Sequence, residues 1–184
     1  MTRRIFLAIP APEEIPIYME KLREINHELS EIKWMRNYNL HLTIYFIGNI
    51  NNEDFDKVTA AVLPVINSHE KFTLELEKIC FAPSKKPRMI WARFHRSSSF
   101  TKLSNSIHES LKSIIPQNKF HYEEPVPHIT LARFHSIEKL GNFNISGSPE
   151  LSKIHIASCQ LWESVPTPKG VRYENIAPTF SLAK

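Results

Sequence analysis

Two rhythms of apolar residues take turns along the chain, one with a period near two and one with a period near 3.6. Ile5, Phe6, Leu7, Ala8 and Ile9, closed by Pro10, read as a buried strand. After the turn Pro10-Ala11-Pro12, Glu13 and Glu14 favour a helix N-terminus. Ile17, Leu22, Ile25 and Leu29 then fall on one face, which predicts a helix over residues 13–29. A brief strand over 32–35 and a polar turn over 36–39 lead into an extended run over 40–47, stopped by Gly48-Asn49. Asn51, Asn52, Glu53 and Asp54 signal a helix start, and Phe55, Val58, Val62, Leu63 and Ile66 carry the helical spacing to residue 67. Residues 72–77 alternate as a half-buried strand, and 89–94 form another. Ser97, Ser98 and Ser99 can cap a third helix with the stripe Phe100, Leu103, Ile107, Leu111 and Ile114, ended by Pro116. A loop over 117–127 carries His121, Glu123 and Glu124. Its Pro125 and Pro127 set the approach to a strand over 128–134. Gly141, Asn142, Gly147 and Pro149 mark turns. The β-rich runs 151–162 and 172–182, joined by a turn over 166–170, are expected to pair as a hairpin.

The order is strand, helix, two strands, helix, two strands, helix, then strands, with no glycine-rich dinucleotide fingerprint. That alternation predicts an α+β fold. Each half holds a helix and a strand with the same polar pattern. The expected architecture is therefore a bilobal, pseudo-symmetric body, with two antiparallel sheets lining a central cleft and helices outside. No stretch reads as a linker, so residues 1–184 are expected to form a single domain of two intertwined lobes.

Composition narrows the function classes. Apolar residues at 42% and charged residues at 23% are ordinary globular values. Lys and Arg number 23 against 19 Asp and Glu, a net +4 that permits an anionic ligand such as RNA without the dense basic character of a histone-like binder. Two cysteines, Cys80 and Cys159, lie far apart and suggest neither a disulfide framework nor a zinc cluster. No window approaches the roughly 18 apolar residues of a membrane span. The short apolar run near the N-terminus is broken by Pro10, Pro12, Glu13 and Glu14, unlike a secretory leader. A cytoplasmic protein with no membrane partner is the expectation, and a monomer is the default.

The candidate chemistry lies in two tetrads, His41-Leu42-Thr43-Ile44 and His128-Ile129-Thr130-Leu131. In a strand, residues i and i+2 share a face. His41 and Thr43 would thus look one way and Leu42 and Ile44 the other, and the second tetrad repeats the arrangement. Threonine and isoleucine are ordinary strand formers, and the chain has nine histidines, so either tetrad alone carries little weight. Together they could bring two imidazoles and two hydroxyls to one small anion. Simple alternation sets Tyr45 beside Thr43, as a stacking ring or a packed aromatic, and puts Arg133 on the opposite face, from which a strand twist or bulge could swing it to the cleft; Phe46 reads as a core residue. Lys85, Lys86 and Arg88 form an exposed basic loop. His27, His69, His95, His108, His135 and His155 have no partner pattern, and no metal-ligand spacing occurs. No metal and no cofactor are expected.

These blocks resemble the 2H phosphoesterases, and within them the bacterial and archaeal RNA 2′,3′-cyclic phosphodiesterases, also called 2′-5′ RNA ligase-like proteins. The resemblance extends beyond the tetrads. It includes Arg4-Ile5-Phe6-Leu7-Ala8-Ile9-Pro10 with Pro12-Glu13, and Lys33-Trp34 before Asn39-Leu40-His41-Leu42-Thr43 and Phe46-Ile47-Gly48. It continues through Pro87-Arg88 with Ile90-Trp91-Ala92, Pro127-His128-Ile129-Thr130-Leu131-Ala132-Arg133, Ser158 and Leu161, and Gly170 and Tyr173. Met35-Arg36 and Tyr45 vary the flanks of the first block, and residues 159–169 match weakly. The resemblance implies metal-independent hydrolysis of an RNA or oligonucleotide 2′,3′-cyclic phosphate end to a 2′-phosphate. It implies His41 as proton donor and His128 as proton acceptor, with Thr43, Thr130 and Arg133 on the phosphate. Tyr45 or Phe46 would then offer a base-stacking ring. Action on 2′-5′ linked oligonucleotides, as phosphodiesterase or ligase, and a non-catalytic RNA-end-binding role remain open alternatives.

Overall fold

Ile5 through Ile9 are all buried, which requires cover on both faces of the strand they form, β1 (Thr2–Pro10). Ile5, Leu7 and Ile9 enter the main core, whereas Phe6 and Ala8 join a small cluster with Trp162 on the other side. Burial of each large side chain is worth about 1.5–3 kcal/mol. The computed structural model describes residues 2–115, 123–145, 153–168 and 170–183. Pro116, His121, Gly147, Pro149 and Leu151 lie outside them.

Helix α1 (Glu14–Ile25) buries Ile15, Tyr18, Met19 and Leu22. It is shorter than the apolar spacing suggests because Asn26, itself buried, ends it. The Asn26 side chain donates to Leu22 O at 2.8 Å and to Asn144 O at 2.9 Å, and its Oδ1 accepts from Asn144 N at 2.8 Å. After β2 (Lys33–Trp34) and β3 (His41–Asn51), a 3-10 turn over Asn52–Asp54 leads into α2 (Phe55–Ser68), with no side-chain cap. Strands β4 (Phe72–Ala82) and β5 (Met89–Phe94) pair, and β4 runs five residues past the alternating stretch. Helix α3 (Ser98–Leu111) is capped as its serines predict, with Ser97 Oγ accepting from Phe100 N. Its apolar stripe lies in the main core. Strand β6 (His128–Arg133) follows.

The run beginning near residue 151 is not one strand. It breaks at Ala157 into β7 (Lys153–Ile156), which pairs with β4, and β8 (Ser158–Thr167), which pairs with β1. The expected hairpin forms between β8 and β9 (Gly170–Asn175), and β10 (Phe180–Ser181) returns separately to β8. The strand order is β10-β8-β1-β3-β6-β5-β4-β7, with β2 on β6 and β9 on β8. Strands β7 and β8 are thus far apart in the order, yet a single residue joins them. Consecutive Cα atoms sit about 3.8 Å apart, so the antiparallel sheet has to curl. The two sheets expected from the sequence meet at one backbone pair, Leu42 with Ile129. The tetrad strands β3 and β6 lie side by side at that seam. Helices and the main core cover one face, and the cleft opens on the other.

Candidate active site

The two tetrads adopt the same local structure. In β3 the burial alternates from His41 to Ile44 and then changes phase, because Leu7 pairs with Tyr45 but Ala8 with Thr43. Ile44 has no partner in this register, so it forms a bulge. In β6 the same step occurs, since Ile90 pairs with Ala132 but Trp91 with Thr130, leaving Leu131 as the extra residue. Each bulge follows the threonine directly and exchanges the faces of the residues just beyond it, which in β3 lasts until a second bulge at Ile47.

This exchange corrects the simple alternation at three positions. Tyr45 turns into the core at 3% exposed, where its hydroxyl shares a 2.8 Å hydrogen bond with His108 Nδ1, so it offers no open stacking face beside Thr43. Phe46 turns instead to the cleft and lies 5.4 Å from Phe6 in a stacked pair. Arg133, five residues after His128 as Phe46 is after His41, also comes to the cleft, with Nη1 3.5 Å from Met89 Sδ.

The cleft has a volume of about 130 Å³ and is lined by His41, Thr43, His128, Thr130 and Arg133, together with Asn39, Met35, Met89 and the rings of Phe6, Phe46, Trp91 and Tyr173. All four tetrad polar side chains and Arg133 are therefore in one place. Lys85, Lys86 and Arg88 do not line it. Arg88 is directed to His135 O.

Each imidazole is tied down from behind. His41 Nδ1 lies 2.7 Å from Asn39 O, and His128 Nδ1 lies 2.7 Å from Val126 O. A carbonyl can only accept, so both Nδ1 atoms carry hydrogen. In the neutral ring Nε2 is then the atom that takes or gives a proton. His41 is further enclosed by Phe6 at 4.9 Å, Tyr173 edge-on at 4.9 Å and Trp162 at 5.3 Å. His128 stacks on Trp91 with ring centres 3.6 Å apart. Burial pushes the His41 pKa down to about 4, the Asn39 carbonyl opposes this, and His128 and Arg133 add to it. Burial also lowers the His128 pKa, against the pull of the Val126 carbonyl, and the Arg133 charge lowers it further. Both rings stand neutral at pH 7. An anion that neutralises Arg133 would move them back toward protonation.

Sequence reasoning passed over Asn39 as a turn residue. It is 5% exposed; its Nδ2 donates to Val171 O at 2.8 Å and its Oδ1 accepts from Tyr173 N at 2.9 Å. One residue thereby holds the His41 ring through its carbonyl and the β9 edge through its amide. Trp162 was missed as well, because it reaches His41 from a distant strand and no local pattern signals that contact. A single asparagine directly before a motif strand was a weak signal for its own role. Among the described residues no group of three or more His, Cys, Asp or Glu could hold a metal ion. No helix there is long and apolar enough to cross a membrane.

Two imidazoles in a small cationic cleft, with hydroxyl donors beside them, can move protons at an anionic centre. The family described as LigT like Phosphoesterase matches residues 9–91, which include the first tetrad. An RNA 2′,3′-cyclic phosphodiesterase of Archaeoglobus fulgidus is 25% identical over 94% of this chain and 97% of its own length. One from Methanocaldococcus jannaschii is 26% identical over 94% and 98%. Among solved structures, E. coli LigT complexed with 3′-AMP superposes with a TM-score of 0.78 at 20% identity, covering 100% of both chains. Over residues 9–91 the chain is thus similar to the LigT-like phosphoesterases, along nearly its whole length it is similar to relatives named RNA 2′,3′-cyclic phosphodiesterase, and it shares the fold of LigT.

Proposed function

We propose that the protein hydrolyses 2′,3′-cyclic phosphate ends of RNA or oligonucleotides to 2′-phosphate ends, without a metal, by acid–base catalysis from two histidines. The observation that carries this reading is the pair of back-tied imidazoles sharing one cleft with Thr43, Thr130 and Arg133. Similarity to relatives named RNA 2′,3′-cyclic phosphodiesterase supports the substrate.

In this mechanism the cyclic phosphate enters as a monoanion beside Arg133. Its charge offsets the guanidinium, the lowered His41 pKa rises, and His41 regains a proton. Neutral His128 takes a proton from water at Nε2 as the water oxygen bonds to phosphorus. The bond from phosphorus to O3′ breaks, and His41 delivers its proton to O3′. The 2′-phosphate remains. Thr43 and Thr130 donate to the non-bridging oxygens, whose charge grows in the transition state. Neither the base nor the acid role requires a metal, because imidazole titrates near neutrality in both forms.

The test incubates the purified protein in EDTA with the four nucleoside 2′,3′-cyclic monophosphates and with a short RNA ending in one, and separates the product isomers. Formation of 2′-phosphate alone is expected. A 3′-phosphate product would reverse the assignment of leaving oxygen, and activity that disappears in EDTA and returns with a divalent cation would sink the metal-free mechanism.

A further inference from the structure

The bulge after Thr43 is gripped from the helix side by residues that the mechanism does not use. Ser104 lies on the apolar stripe of α3, among Phe100, Leu103 and Ile107, and is 3% exposed. A serine inside a helix commonly turns its hydroxyl back onto a carbonyl of its own helix, as Ser110 does in donating to Ile107 O at 2.8 Å. Ser104 is directed outward instead. It donates across the helix–sheet interface to Ile44 O at 3.0 Å. One turn further along α3, on the same face, His108 Nδ1 shares its 2.8 Å hydrogen bond with the Tyr45 hydroxyl. Helix α3 thus holds two successive residues of β3, the extra residue of the bulge and the one after it.

The bulge in β6 is held differently. The carbonyl of its extra residue, Leu131, accepts from the backbone N–H of Met35 at 2.9 Å, directly after β2. Strand β2 pairs with β6, so this main-chain donor serves the second half of the sheet. On the first half, Ile44 faces no partner residue on β1 or β6, and the donor to its carbonyl is a side chain. A buried carbonyl that loses its donor has to be resatisfied or left bare. The residue best able to move in response is the one that no cross-strand partner holds, and Thr43 is joined to it directly.

We propose that Ser104 is a positioning residue of the active site. By fixing the Ile44 carbonyl it holds the β3 bulge, and with it the direction in which Thr43 offers its hydroxyl to the phosphate. The bond between Tyr45 and His108 is the second fixing point of the same device. The inference rests on the proposed cyclic phosphodiesterase reading, in which Thr43 is a phosphate donor.

The experiment removes single hydroxyls and reads turnover of adenosine 2′,3′-cyclic phosphate beside calorimetric affinity for inorganic phosphate. Ser104→Ala is expected to lower kcat by about 10-fold with KM changed little, a part of the roughly 10²-fold that the Thr43 donor commands. Tyr45→Phe should lower it by a few-fold. Ser110→Ala removes a hydroxyl from the same helix without touching β3 and should keep the wild-type kcat. The decisive arm is the Thr43→Val background, where Ser104→Ala should change kcat by less than about twofold, because the hydroxyl it positions is gone. Thermal unfolding checks that each variant is folded. A wild-type kcat in folded Ser104→Ala overturns the positioning role. So does an undiminished loss on top of Thr43→Val, or an equal loss in Ser110→Ala, either of which would make Ser104 a residue of stability alone. If Ser104→Ala does not fold, Tyr45→Phe is read by the same criteria. Absence of turnover in the wild type would overturn the cyclic phosphodiesterase reading. The positioning role would then stand if Ser104→Ala weakens phosphate binding only where Thr43 is present, and would fall if phosphate binding is unmoved.

Discussion

The half built on β1 and β3 and the half built on β5 and β6 use one backbone plan and different side chains. In each, the histidine Nδ1 meets the carbonyl two residues earlier, the threonine follows on the same face, and a bulge comes directly after it. In each, the residue five past the histidine is brought to the cleft. On one side that residue is Phe46, and on the other it is Arg133. The rings differ as well. His41 sits among Phe6, Trp162 and Tyr173, whereas His128 rests on Trp91. The comparison teaches that a repeated backbone device can position two equivalent groups while the residues around them give each ring a different environment.

The largest effects should come from the histidines. His41→Ala and His128→Ala are each expected to lower kcat by about 10²- to 10⁴-fold while affinity for a 2′-phosphate end largely survives. The double variant should cost far less than the product of the two, because the rings act as a unit. Equal turnover in wild type and His41→Ala would remove the acid assignment. Thr43→Val and Thr130→Val are expected to cost about 10²-fold each in kcat, in keeping with loss of a transition-state donor. A large difference between them would show that the halves do not share the phosphate evenly.

Arg133→Gln sharpens the contrast at the fifth position. It should weaken phosphate binding and move the pH profile of kcat/KM toward alkaline values, since the Arg133 charge lowers the pKa of both histidines. In the wild type the profile should peak below pH 6.5, because kcat/KM reports the free enzyme and both rings titrate below their ordinary value there. The profile of kcat should lie higher, as bound phosphate restores the proton. An unshifted profile in Arg133→Gln would show that Arg133 does not act on the imidazoles.

Asn39→Ala tests the extra clamp found on the first half alone. Loss of its two amide bonds should free the β9 edge and cost roughly 1–3 kcal/mol of stability, measured by chemical unfolding. The His41 pKa should rise from about 4 toward 6.5 as Tyr173 loosens, read from the imidazole NMR signals. A stability loss with no change at His41 would make Asn39 purely architectural. The smallest effect concerns acid stability. The His41 pKa is lower folded than unfolded, so the unfolded chain binds the extra proton. Stability is complete above pH 6.5 and declines as pH falls toward 4. His41→Gln should flatten that part of the stability curve.

Much of this was written locally. A short apolar run closed by proline gave β1, alternation gave the start of β4, a serine cluster marked the start of α3, and the tetrads named both histidines and both threonines. Local pattern failed where a distant partner intervened. Asn26 shortened α1 because Asn144 holds it. Ala157 split an apolar run that composition alone would keep whole. The two bulges moved Tyr45 inward and Phe46 and Arg133 outward because a register shift depends on the neighbouring strand, and no residue within either tetrad signals it.

The sequence by itself determined the chemical inventory: two imidazoles, two hydroxyls and an arginine at matched spacing, each on a strand with an apolar back. Alternation is a property of the single strand, so these faces needed no partner to be read. Only the tertiary structure decided that the two strands meet at a single backbone pair and that a bulge in each turns the fifth residue into the cleft. Those outcomes depend on which backbone donors find acceptors across strands far apart in the chain.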